Sequence, residues 1–130
     1  MVTFVKCSEK YWNFVRQLRM DERVVDGFIK NVFISIEDQI KYMSKYNDCY
    51  YIALVEGNPA GFIGVIENDI RICTHPEYQN KGIGKFMLKN IMNLFPSAFG
   101  KVKFDNKLSK KLFESCGYIP TYIIYTKNEQ

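Results

Sequence analysis

The stretch Gln79-Asn-Lys-Gly82-Ile-Gly84-Lys85 constrains this chain more than any other. It follows a strand-like run, Ile70 to Thr74, and leads into a helical pattern carrying Ile83, Met87, Leu88, Ile91 and Leu94 on one face. Two glycines at such a junction let the main chain turn tightly and leave bare N–H groups at the helix start. Those donors, together with the helix dipole, favour an anion, and Lys81 and Lys85 add positive charge. The junction therefore predicts a phosphate-binding strand-to-helix turn in an α/β chain. It is not a nucleoside-triphosphate loop, because Phe86 follows Lys85 where that loop needs Ser or Thr. It also lacks the third glycine of a dinucleotide fingerprint.

The remaining pattern supplies the elements around that turn. Thr3 to Lys6 reads as a strand, and Ser8 is placed to cap a helix bearing Tyr11, Trp12, Val15 and Leu18. Asp26-Gly27 marks a turn, and Ser35-Ile-Glu-Asp38 has capping-box form, opening a second helix with Ile36, Ile40 and Met43 at helical spacing. Tyr50 to Val55 and Gly61 to Ile66 read as a hairpin turned at Glu56 to Pro59. Asn68-Asp69 reads as a further turn before Ile70 to Thr74. Pro96 ends the long helix, and Lys101 to Phe104 predicts another strand. Leu108 to Cys116 predicts a helix with Leu112 and Phe113 buried and Gly117 at its C′ position. Tyr118 to Lys127 reads as a last strand, with Pro120 suiting an edge. The expected order is β-α-α-β-β-β-α-β-α-β, an α/β (α+β) chain with a mixed sheet.

Composition narrows the classes. A length of 130 residues suits one domain spanning 1–130, and 47% apolar with 25% charged residues is globular rather than disordered. Neither Tyr50 to Val55 nor Phe62 to Ile66 approaches the length of a membrane helix, and Lys6, Glu9 and Lys10 interrupt any leader-like core. Cys7, Cys49, Cys73 and Cys116 are far apart and the chain has one His, so no metal is expected and reduced thiols point to the cytoplasm. A net charge of +4 favours an anionic partner, but the basic residues are scattered, which argues against nucleic acid.

Ile70 to Lys85, I-R-I-C-T-H-P-E-Y-Q-N-K-G-I-G-K, resembles the signature segment of the GNAT superfamily of N-acetyltransferases, with Thr74 where the family usually has Val. Asn106 to Tyr118 resembles the family's second segment, N-x-x-A/S-x-x-L-Y/F-E-x-x-G-F/Y. The resemblance implies a mostly antiparallel sheet flanked by about four helices. It implies acetyl-CoA as cosubstrate and direct acetyl transfer to a primary amine in a ternary complex. Gln79, Asn80, Lys81, Gly82, Ile83, Gly84 and Lys85 would then hold the pyrophosphate, and the main chain of Ile72, Cys73 and Thr74 would pair with the pantetheine arm. An N–H near Thr74 would polarise the thioester carbonyl. Asn106 would meet the pantetheine or thioester end, with Ser109 one turn later.

Asp69 occupies the position of an acid at the start of the signature strand and is the candidate base. The acid that many members carry as Tyr is Phe113 here, which cannot donate a proton; Ser109, Tyr118 or a water would substitute. Cys73 and His75 could share a strand face and support a covalent route, but no third orienting group accompanies them. Leu18 to Val24 resembles acetyltransferases of nucleotide-linked amino sugars, with Arg19 and Arg23 available to a substrate phosphate. Protein N-terminal amines, polyamines and aminoglycosides compete as acceptors, and a catalytically silent acyl-CoA-binding module competes as a role. The chain is expected to be a monomer or homodimer.

Overall fold

A computed structural model describes residues 1–24 and 33–128. Its strands are β1 (Val2–Lys6), β2 (Tyr50–Val55), β3 (Asn58–Ile66), β4 (Asp69–Thr74) and β5 (Phe99–Gly100), and its helices α1 (Trp12–Met20), α2 (Ile36–Tyr46), α3 (Ile83–Leu94) and α4 (Lys107–Ser115). They form one sheet in the order β1-β2-β3-β4-β5. The first three pairings are antiparallel and β4–β5 is parallel. No helix among the described residues is long and apolar enough to cross a membrane.

Alternation along the strands loads both faces of the sheet. Ile63, Val65 and Ile70 pack with Met87, Leu88 and Ile91 of α3 and Phe113 of α4. On the other face Ile52, Phe62 and Cys73 pack with Val15 and Leu18 of α1 and Met43 of α2. The core is therefore two apolar layers with the sheet between them.

Both hairpins are tighter than the sequence suggests. Glu56 (φ 49°) and Gly57 (φ 81°) make one turn, and Glu67 (φ 52°) and Asn68 (φ 66°) the other. Two consecutive left-handed residues match the right-handed twist of the flanking strands, so pairing resumes at once. Hence Asn58 and Pro59 lie in β3 rather than in the turn, and Asp69 is the first residue of β4. Pro59 is accommodated beside a bulge: Ala53 pairs with Gly61 and Leu54 with Pro59, leaving Ala60 without a partner.

The helix starts and faces differ in detail too. Ser8 precedes a single 3₁₀ turn, Glu9–Tyr11, and its side chain makes no capping bond. Ser35 does cap α2, accepting from the Asp38 N–H at 3.0 Å. On α2, however, Gln39 and Met43 are buried while Ile36 and Ile40 are exposed. The helix is rotated because the Gln39 amide donates to the Trp12 carbonyl (2.7 Å), a polar tie that an apolar-spacing argument ignores. Leu94, at the end of α3, is exposed, and Leu112 is only half-buried. The turn expected at Asp26-Gly27 lies outside the described residues.

The C-terminal third departs most. The strand expected at Lys101 to Phe104 is instead the two-residue β5, and the strand expected over Tyr118 to Lys127 is absent. Ile119, Tyr122, Ile123, Ile124 and Tyr125 are exposed. Alternating apolar residues favour extended backbone, but a strand needs a neighbouring ladder, and β5 offers only two residues of one. What precedes that tail is well fixed. Gly117 (φ 92°) ends α4, its N–H bonding the Glu114 carbonyl and that of Tyr118 the Phe113 carbonyl, each at 3.1 Å. The Phe113 and Tyr118 rings close this motif edge to face at 5.3 Å.

Phe113 also sits where β5 has no side chain: a Cβ on Gly100 would lie 2.3 Å from its Cε1 and Cζ. Gly100→Ala should therefore overpack the β5–α4 contact, lowering stability by about 1–3 kcal/mol. Urea unfolding measures this directly; an unchanged midpoint would show that the ring moves aside freely.

A candidate cofactor groove and its acceptor face

The strand-to-helix turn forms where the sequence places it. The His75 Nδ1 accepts from the Glu77 N–H at 3.1 Å, anchoring a short 3₁₀ turn at Pro76–Tyr78. Asn80 (φ 62°) and Gly82 (φ 80°) then reverse the chain into α3. Gly82 is the N-cap and has no side chain to satisfy the first turn, so the N–H groups of Ile83, Gly84 and Lys85 have no capping side chain. Gln79, Asn80, Lys81, Gly82 and Lys85 are exposed around them, while Ile83 is buried and anchors the turn to the core. Lys81 extends over the Tyr78 ring, its Nζ 5.7 Å from the centroid. A Cβ on Gly84 would lie 3.3 Å from Leu112 Cδ2 and 3.5 Å from Thr74 Oγ1, so the turn rests against the end of β4 and against α4.

The groove that leads away from this turn is made by two strands that part. The last rung between β4 and β5 joins Ile70 to Gly100. Main-chain polar groups alternate in direction along a strand. The His75 N–H donates to the Ala60 carbonyl (2.8 Å) on the β3 side, and the Phe99 N–H donates to the Asn68 carbonyl (2.8 Å) on the β5 side. By that alternation Ile72 and Thr74 turn their main-chain groups toward the flank where β5 has ended. Cys73 does not: its carbonyl faces β3, 2.8 Å from where a Gly61 Cβ would stand. Of the three residues expected to offer main chain there, Ile72 and Thr74 turn it to the open flank and Cys73 turns it to β3.

On the α3/α4 side, Asn106 caps α4 by accepting from the Ser109 N–H at 3.1 Å. Asn106 and Ser109 are both half-buried. Tyr118 is half-buried against Phe113, and burial raises its phenol pKa, so it keeps its proton.

The α1/α2 side carries the charges. Asp69 lies between Lys101 (Nζ–Oδ2 3.8 Å) and Arg71 (Nε–Oδ2 4.0 Å). Arg71 shares a rung with Gly64 and, across it, Tyr50. The missing side chain lets the Tyr50 ring lie across Gly64, 2.6 Å from a Cβ placed there. The Tyr50 and Tyr42 hydroxyls then meet at 2.7 Å, and Arg71 Nη1 donates to Tyr42 at 3.0 Å. Burial, reinforced by Tyr42, drives the Tyr50 pKa upward. Sequence reading missed Arg71, Tyr42 and Lys101, because their meeting depends on strand register.

The two arginines singled out in the sequence behave differently. Arg23 is clamped on Asp21 through Nε–Oδ1 (3.0 Å) and Nη2–Oδ2 (2.7 Å), and this hydrogen bonding lowers the Asp21 carboxyl pKa to about 2. Arg19 lies in the last turn of α1, whose Val15 and Leu18 pack on the same sheet face that carries Arg71. Cys73 and His75 do not form a catalytic pair: β4 ends at Thr74, the imidazole is engaged by Glu77, and burial pushes the Cys73 thiol up to about 12.

A family model for the GNAT acetyltransferase family matches residues 12–118. The chain belongs to that family. No curated sequence is similar enough to count as a relative. Among solved structures, the Vibrio cholerae spermidine N-acetyltransferase, in complex with CoA and spermine, superposes with a TM-score of 0.80 at 15% identity, covering 93% of this chain and 82% of that one. An aminoglycoside acetyltransferase from an uncultured soil metagenomic sample gives 0.71 at 15% identity, covering 99% and 96%. A Salmonella typhimurium protein with its cofactor acetyl-CoA gives 0.78 at 12% identity, covering 93% and 81%. These likenesses establish the fold, and family membership makes this acetyltransferase an acyl-transfer enzyme.

Substitution of Gly82 tests the groove. Gly82 has open space around it, with nothing within 4 Å of the point a Cβ would occupy. Gly82→Ala should therefore cost only roughly 1–2 kcal/mol of backbone strain. If the turn holds the cosubstrate's phosphates, Gly82→Glu should in addition abolish acetyl-CoA binding in calorimetry, by setting a carboxylate against them. Undiminished affinity in a folded Glu variant would remove the turn from the cofactor site. Separately, Cys7 and Cys73, raised by burial to about 11 and about 12, should resist thiol reagents until unfolding, whereas half-buried Cys49 reacts first. Raised folded-state values make that stabilisation complete below the ordinary 9.0 and lost as pH climbs toward them, so unfolding should become easier in alkali.

Proposed function

We propose that this enzyme moves the acetyl group of acetyl-CoA directly to a primary amine, with both bound at once. The observation that carries the reading is the parting of β4 from β5 after Ile70–Gly100 beside an uncapped helix start. The residues fit the cosubstrate. The N–H groups of Ile83, Gly84 and Lys85, with Gln79, Asn80, Lys81 and Gly82 around them, suit a pyrophosphate. The open main chain of Ile72 and Thr74 suits an amide-bearing arm, and Asn106 and Ser109 flank it from α4. Bound there, acetyl-CoA supplies a thioester, an acyl group already activated toward nitrogen.

The protein's task is then protons and position. An alkylammonium, with a pKa of about 10, must lose a proton before it can attack. Asp69, at the head of β4 and partly exposed, is the proposed acceptor of that proton, directly or through water. The new C–N bond forms as the C–S bond breaks, and the sulfur leaves as thiolate or thiol. A thiol of pKa about 8.5 is a fair leaving group, so acid assistance is modest. Ser109 and Tyr118 are the hydroxyls proposed to provide it. Arg19 is a proposed contact to an acceptor phosphate, as in a nucleotide-linked amino sugar; Arg23 would have to release Asp21 to join it.

Thiol release from acetyl-CoA should appear with at least one class among amino-sugar nucleotides, aminoglycosides, polyamines and short peptides. Binding without turnover on any of them would instead support a silent acyl-CoA binder. Asp69→Asn should leave acetyl-CoA affinity intact and slow turnover by about 10²- to 10⁴-fold. Unchanged turnover in the folded variant would remove Asp69 from the base role.

A further inference from the structure

The chemistry at the apex of the groove also bears on the acceptor, and the inference drawn from it rests on the transferase reading above. Arg71 and Lys101 each stand one residue beyond the last rung, Ile70–Gly100, one on each of the two parting chains. They share the α1/α2 face, since both approach Asp69 there. Two cations around one carboxylate leave a net positive charge. Both remain reachable: the Arg71 side chain is 41% exposed and that of Lys101 47%. Arg19 stands on α1, the helix packed on this same face.

Arg71 is also held in place rather than left to wander. Tyr42 accepts from its Nη1, Tyr50 backs Tyr42, and Gly64 leaves the room in which this chain of contacts forms. Asp69 lies beside its Nε and Tyr42 accepts from its Nη1, and with the side chain 41% exposed the guanidinium still offers an edge to a ligand. A fixed guanidinium beside an ammonium is an arrangement for a carboxylate or phosphate oxygen pair. Arg71 is the chain neighbour of Ile72, whose main chain faces the open flank of β4.

We propose that the acceptor amine carries an anionic group, carboxylate or phosphate, and that Arg71, assisted by Lys101, binds that group and so orients the amine toward the acetyl donor. A polycation meets like charge at this apex, where, among the described residues, Asp69 is flanked by Arg71 and Lys101 and Asp21 is paired with Arg23. The acceptor preference should therefore be opposite in charge to the spermine held in the Vibrio cholerae structure.

Matched acceptors test this with the unsubstituted enzyme, by thiol release from acetyl-CoA. The pairs are an amino acid against its decarboxylated amine and an amino-sugar phosphate against the free amino sugar, with spermidine as the polycation. The anionic member of one pair should exceed its neutral counterpart in kcat/KM by about tenfold or more, and which pair does so tells carboxylate from phosphate. Arg71→Ala should erase that advantage, chiefly through KM, so that the anionic and neutral members of the pair are turned over alike; Arg71→Lys should restore part of it. Preference for spermidine, or equal rates within both pairs, would overturn the proposal while leaving the transferase reading intact. An equal loss for both members of the preferred pair in a folded Arg71→Ala variant would also overturn it. Absence of turnover with every amine would remove the transferase reading and this inference with it.

Discussion

Close packing of Phe113 on Gly100 determines where the sheet stops being a sheet. The ring occupies the space a β5 side chain would fill, directly at the last β4–β5 rung. It is held there by a helix terminus of its own making, since the Phe113 carbonyl accepts from Tyr118 and its ring abuts the Tyr118 ring. Beyond that contact the chain does not continue as a ladder but turns through Asn106 into α4. Ile72 and Thr74 are left with polar main chain on an open flank, which is a costly state for a buried strand and a useful one for a strand that receives a ligand. A residue that breaks the family's usual pattern by lacking a proton donor thus has a packing role that a hydroxyl would not improve.

Much of this was legible from residue order. The glycines of the α3 turn, the Ser35 cap, the buried stripe Ile83–Met87–Leu88–Ile91 and the Gly117 terminus each rest on local rules that act within a few residues. Their chemistry is written where it happens. The first four strands and the four helices follow for the same reason, with shifts of a few residues where two-residue turns replaced longer ones.

What was not legible depends on register and neighbours. Nothing in the order of residues puts Tyr42, Tyr50 and Arg71 together; a rung through Gly64 does. Lys101 becomes a partner of Asp69 only because β5 is parallel to β4 and ends one residue earlier. The rotation of α2 turns on one amide, Gln39, reaching the Trp12 carbonyl. The tail after Tyr118 has the composition of a strand and no ladder to join, so pattern without partner misled.

The connections of the sheet also differ in kind. β2, β3 and β4 are joined by two-residue turns, so their pairing closes loops of minimal entropy and can form early. The β4–β5 pairing is parallel, only two rungs long, and reached after the whole of α3. The β1–β2 pairing spans more chain, but it has five rungs, so the two-rung β4–β5 ladder is the first to give way on local opening. The groove therefore lies along the weakest seam in the sheet. Any ligand that bridges β4 to the chain beyond Gly100 acts there as a fastener, raising the protection of β5 and α4 against amide exchange while barely altering the β2–β4 meander.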